Sequence, residues 1–138
     1  MRTMLVLLVL LGSPLCVGAE QLFGDTPAVV RKVVDGDTLV VDIPDYPPLV
    51  GHAIGVRVAG CDTPEKRDSR PELQQRARSA HRRTKQLATP GTTIMLRNLR
   101  RDKYFRILAD VETEKGDLAR ILIDEGLALP YNGGTKQW

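Results

Sequence analysis

The sequence predicts an α+β fold that is mainly β: five strands and two helices in the order β-β-β-α-β-β-α, with the strands forming a small barrel. Three observations lead there. Short β-branched runs recur between turn dipeptides, one long stretch repeats small and apolar residues at spacings of four and three, and Gly or Pro punctuates most junctions. The 138 residues suffice for one domain, and 42% hydrophobic with 27% charged residues is an ordinary globular balance. Collagen-like, coiled-coil and fully disordered classes are excluded by that composition.

The elements follow in order. Val29 to Val34 and Leu39 to Ile43 are apolar or alternating runs on either side of Asp35-Gly36, a dipeptide that sets up a hairpin. Pro44, Pro47, Pro48 and Gly51 mark a loop, and Ile54 to Ala59 is a third strand with Arg57 opposite Val56 and Val58. Glu72 to Ala88 reads as a helix on the stripe Leu73, Ala77, Ala80, Thr84 and Leu87, ended by Pro90-Gly91. Thr92 to Leu96 and Arg106 to Val111 supply the last two strands. Asp117 then caps a short helix through Leu118, Ile121 and Leu122, with Gly126 as its stop. This order is compatible with a five-stranded OB-type barrel, although periodicity alone would suit other α+β arrangements.

Ahead of the domain, Arg2 precedes the apolar run Met4 to Leu11, and Val17-Gly18-Ala19 places small residues at a cleavage position. We read residues 1–19 as a secretory signal peptide and 20–138 as a single domain, which implies a secreted or periplasmic protein with no stable membrane association. Leu15 stands where a lipoprotein needs a small residue before Cys16. Cleavage leaves Cys61 alone, a small buried hydrophobe at a strand end. No apolar helix face is left over once the core is filled, so a monomer is expected.

Charge is unevenly spread. From Lys66 to Arg106 thirteen Lys and Arg stand against Asp68, Glu72 and Asp102, while the rest of the chain after residue 19 is net acidic. A basic face for a polyanion with a separate acidic site is one explanation, and a solvated helix surface is the other. Only six aromatic residues are present, too few for a surface built by stacking many bases.

Three segments carry candidate chemistry. In VVDGDTLVV (33–41), a turn accounts for most residues, but Asp37 also offers a hard carboxylate suited to calcium or magnesium. In VRVAGCDTPE (56–65), Thr63 and Pro64 read as a helix cap and first position, which leaves Arg57 unexplained. An arginine within an apolar strand must meet water, a carboxylate or an anion. In RRDKYFRILAD (100–110), Arg106 is a second candidate phosphate contact.

Taken together, DGDT, RVAGCDTPE and DKYFRILA, in this order around a basic helix, resemble the staphylococcal nuclease family from about Val29 to Tyr131. The resemblance implies an OB barrel with flanking helices and calcium-dependent hydrolysis of phosphodiester bonds in DNA or RNA, leaving 5′-hydroxyl and 3′-phosphate ends. By position it makes Asp37 and Asp62 calcium-binding carboxylates and Thr63 a backbone ligand. Glu65 becomes the general base, and Arg57 and Arg106 hold the phosphate. Asp35 is implied as an acidic neighbour of the metal, and Lys103, Tyr104 and Tyr131 as substrate contacts. Phe105 departs from the pattern, standing where the family usually has glycine.

A rival from another class is a non-catalytic OB module that binds nucleic acid or a protein partner. Such a module has no physical need for Asp37, Asp62 and Glu65, which repel a polyanion unless a metal is present. A histidine-based ribonuclease would have to use His52 and His81, and His81 falls within the basic helix.

Overall fold

The computed structural model describes residues 23–138, so the signal-peptide reading of residues 1–19 lies outside the described residues. Strands β1 (Thr26–Asp35) and β2 (Thr38–Asp42) form the expected hairpin, and β3 (Ile54–Val58) pairs antiparallel with β2. Strand β5 (Thr93–Arg101) pairs with β1 and with β6 (Ile107–Thr113). Parallel pairing of Val56–Val58 with Ile107–Ala109 joins β3 to β6 and closes the barrel. Closure leaves no exposed sheet edge between these five strands. Inside lie Val30, Leu39, Val41, Val56, Leu96 and Val111, each almost fully buried. Alternation along each strand puts these side chains on one face, so the sequence pattern and the closed core agree.

Helix α2 (Pro71–Leu87) matches its predicted span closely, and its buried stripe is Ala77, Ala80, Thr84 and Leu87. The small side chains let the helix approach the β1–β2 hairpin, where Thr84 Oγ1 donates to the Gly36 carbonyl at 2.6 Å. Helix α3 (Leu118–Asp124) is capped as expected by Asp117, whose Oδ1 accepts from the Arg120 amide at 2.7 Å. Its buried residues Leu118, Ala119 and Leu122 join the barrel core.

Several expectations need correction. The hairpin turn is Gly36-Asp37, because Asp35 pairs with Thr38. No helix begins at Thr63-Pro64; Thr63 spends its donors on Asp37 instead. Helix α2 begins at Pro71, behind Asp68, whose carboxylate accepts from the backbone and side chain of Arg70. Those bonds hold the Asp68 carboxyl down at about 2. A third helix, the single turn α1 (Pro48–Gly51), lies in the proline loop. The short strands β4 (Gly60–Asp62), β7 (Gly116–Asp117) and β8 (Leu129–Tyr131) escaped periodicity because two or three residues carry no pattern.

Gly36 has no room for a side chain: a Cβ there would meet Ala80 Cβ at 2.7 Å and Thr63 Cγ2 at 2.8 Å. Gly36→Ala is therefore expected to destabilise the fold by about 1–3 kcal/mol. Urea denaturation checks this, and an unchanged midpoint would contradict the tight seating of the hairpin on α2.

Candidate active site

The corrected turn places Asp37 at the hairpin tip with only 6% of its surface exposed. Its Oδ2 accepts from the Thr63 amide at 2.8 Å and from Thr63 Oγ1 at 2.9 Å, and Thr38 Oγ1 donates to its Oδ1 at 3.1 Å. Asp62 ends β4 and is 2% exposed. Between the two carboxylates lies Arg57, with Nη2 3.2 Å from Asp37 Oδ2 and 2.9 Å from Asp62 Oδ1. Its Nη1 donates to the Val58 carbonyl at 2.9 Å. The arginine that the apolar strand left unexplained thus bridges two buried acids, which the planar guanidinium fork does well.

One polar atom in this cluster has no partner: Asp62 Oδ2 is buried and makes no hydrogen bond. Burial pushes the Asp62 carboxyl above its ordinary range, as does the Asp37 charge, against the pull of Lys136 and Arg57. An unsatisfied buried carboxylate oxygen is costly unless something cationic or donating meets it. Asp37 and Asp62 are hard oxygen donors, and together with this bare oxygen they suit a calcium ion, whose remaining ligands would be backbone oxygen or water. Among the described residues no group of three or more His, Cys, Asp or Glu converges. Cys61, next to Asp62, is free and buried, and burial pushes its thiol up to about 12, which rules it out as a nucleophile at neutral pH.

The cluster borders an open cleft of about 1350 Å³. Asp37, Arg57, Thr63 and Glu65 line it, together with Lys103, Tyr104, Arg106 and Tyr131. Of the metal, catalytic and substrate residues that the resemblance implies, Asp62 alone does not line the cleft. Glu65 is exposed and ion-paired to Lys136 at 3.1 Å. Arg106 donates through Nε to Asp102 Oδ2 at 2.8 Å and stacks on the Tyr104 ring at 5.4 Å. Burial raises the Asp102 carboxyl, but hydrogen bonds from Arg106 and from the Tyr104 amide outweigh it and leave it below its usual range. That ion pair aims Arg106 rather than consuming it, because two of the guanidinium nitrogens remain for an anion. Asp35 is ion-paired to Lys66 at 3.2 Å and lines the same cleft as Asp37.

Phe105 has φ 62 and an 83% exposed ring. Glycine enters that backbone region freely, whereas a bulky residue pays about 1–2 kcal/mol there. A glycine would take this backbone without strain, which Phe105 carries.

Residues 55–137 match the family model of the staphylococcal nuclease homologues. The chain belongs to that family. The match covers more than half of the sequence and includes Arg57, Asp62, Thr63, Glu65 and Arg106, while Asp35 and Asp37 lie ahead of it. Among curated proteins none matches the chain. Membership makes this a nuclease-type or nucleic-acid-binding domain on an OB barrel. Sequence reasoning missed Lys136 and Trp138, which fold back onto Asp62 and Glu65. The local signal was Gly133-Gly134, a turn with both φ values positive, but its destination depends on residues some seventy positions earlier.

Proposed function

We propose that this staphylococcal nuclease homologue is a calcium-dependent phosphodiesterase that hydrolyses DNA or RNA with little sequence preference, leaving 5′-hydroxyl and 3′-phosphate ends. The observation that carries the reading is the buried Asp37–Arg57–Asp62 cluster, with its bare carboxylate oxygen, set beside a cleft that also presents Glu65 and Arg106. A module that only binds polyanions gains nothing from burying two carboxylates there. We read the protein as a monomer exported to the periplasm or medium by residues 1–19. Among the described residues no helix is long and apolar enough to cross a membrane.

In this mechanism the phosphodiester lies in the cleft with Arg106 against its non-bridging oxygens, and Arg57 supplies further positive charge from beneath. Calcium, when held by Asp37 and Asp62, supplies Lewis-acid offset of phosphoryl charge. The exposed carboxylate of Glu65 orients a water and accepts its proton as the oxygen attacks phosphorus; the P–O5′ bond breaks, and the departing 5′ oxygen takes a proton from solvent to leave as the hydroxyl. Thr63 keeps Asp37 in place through its two hydrogen bonds. Lys103 and Tyr104 meet neighbouring groups of the substrate, and Lys103 lies over the Tyr104 ring at 5.2 Å. Tyr131 donates to the Gly134 carbonyl at 3.0 Å and so also shapes the cleft wall. On α2, Arg83 is ion-paired with Glu125 at 2.7 Å and so adds less to a polyanion track than its charge suggests.

The test is degradation of single-stranded DNA and of RNA by the chain from Glu20, with calcium and with chelator, alongside a thermal shift. Calcium at a hundredfold excess over its Kd is expected to stabilise the fold by about 2.7 kcal/mol. Cleavage should stop with chelator, and Asp62→Asn should lose both responses. A folded protein that binds DNA, cleaves neither polymer and ignores calcium would favour the binding-module reading.

A further inference from the structure

Residues 132–138 form a strap that contributes Asn132, Gly133, Gly134 and Lys136 to the cleft lining. Two contacts seat it: Trp138 Nε1 donates to the Asp62 carbonyl at 3.1 Å, and the Arg76 guanidinium lies over the indole at 5.3 Å. Between the Gly133-Gly134 turn and this anchor, Lys136 Nζ stands 3.1 Å from Glu65 Oε1 and 3.4 Å from Asp62 Oδ1. The Glu65 side chain is 72% exposed, and among the described residues it makes no hydrogen bond or ion pair other than that to Lys136. A side chain that exposed, on a segment without helix or strand, samples many rotamers unless something holds it.

We propose that Lys136 is a positioning residue, delivered by the 132–138 strap, that holds the Glu65 carboxylate at the cleft beside Asp62. The anchor matters because the lysine stem alone is flexible; seating Trp138 two residues later limits where the ammonium can go. Lys136 meets Oδ1 of Asp62, the oxygen that Arg57 already contacts, and leaves Oδ2 bare. The lysine therefore restrains Glu65 while leaving the unpartnered oxygen available. Its catalytic consequence rests on the nuclease reading, whereas the strap contact does not.

Trp138 is the single tryptophan of the sequence, so acrylamide quenching of its emission reads strap docking with or without activity. Lys136→Gln is expected to raise the quenching constant about twofold, Glu65→Gln to raise it less because Lys136 keeps Asp62, and the double variant to match Lys136→Gln, because the Glu65 contact is already lost with the lysine. In turnover, Lys136→Gln should lower kcat about 10–100-fold with KM within about twofold, as loss of an orienting partner does, and Lys136→Arg should restore most of it. Additive or unmoved quenching, or a loss confined to KM, overturns the proposal; the latter would make Lys136 a substrate contact. Coupled quenching in a wild-type protein that cleaves nothing would discard the nuclease reading and support the strap contact.

Discussion

Glu65→Gln is expected to lower kcat by about 10²–10⁴-fold while the unfolding midpoint stays near that of the wild type. The two halves of that expectation have separate causes. Glu65 is exposed and touches the rest of the molecule through Lys136, an ion pair of a kind that contributes little to stability. The amide is nearly isosteric, but it carries no charge to hold Lys136 and cannot take a proton from water. Steady-state kinetics on single-stranded DNA beside a urea melt separates the effects. A variant retaining more than about a third of wild-type kcat would remove Glu65 from the role of base.

Arg57→Ala should have the larger structural effect, a loss of about 3–5 kcal/mol, because it strands two buried carboxylates that share one guanidinium. Arg57→Lys is not expected to rescue it. An ammonium is a compact point charge, and it cannot reproduce the fork that reaches Asp37 and Asp62 while donating to the Val58 carbonyl. Activity should vanish in both variants, so the informative measurement is equilibrium denaturation. A cost below about 1 kcal/mol for Arg57→Ala would mean that the carboxylates accommodate their charge without it. Adding calcium to the Arg57→Ala protein should then recover part of the loss, since a cation bound at Asp37 and Asp62 takes over the charge offset.

The two variants probe different layers of one arrangement. The Asp37–Arg57–Asp62 cluster is buried and its geometry belongs to the barrel: Asp37 sits on the β1–β2 turn, Arg57 on β3 and Asp62 at the end of β4. Glu65, Arg106 and Lys136 instead stand on connecting segments outside the described helices and strands. A rigid floor with adjustable rim residues suits a site that must admit a polymer from the side.

Much of this was legible in the sequence because it is local. Alternation in Leu39–Ile43 and Ile54–Ala59, the stripe of α2 and the Asp117 cap are set by neighbours within a few positions, and the order of strands and helices follows from them, whereas closure into a barrel rests on the β3–β6 pairing. Arg57 announced itself as an arginine in an apolar strand, and the family motifs named the acids around it. What the sequence could not contain was the partner of each charge. That Arg57 faces both Asp37 and Asp62, that Thr63 holds an acid instead of capping a helix, and that Asp35 pairs with Lys66 depend on barrel closure. The position of Lys136 depends on a glycine turn and a tryptophan anchor that act across seventy residues. Backbone preference is written over short range, whereas electrostatic pairing is decided by which surfaces the closed fold brings within a few ångströms.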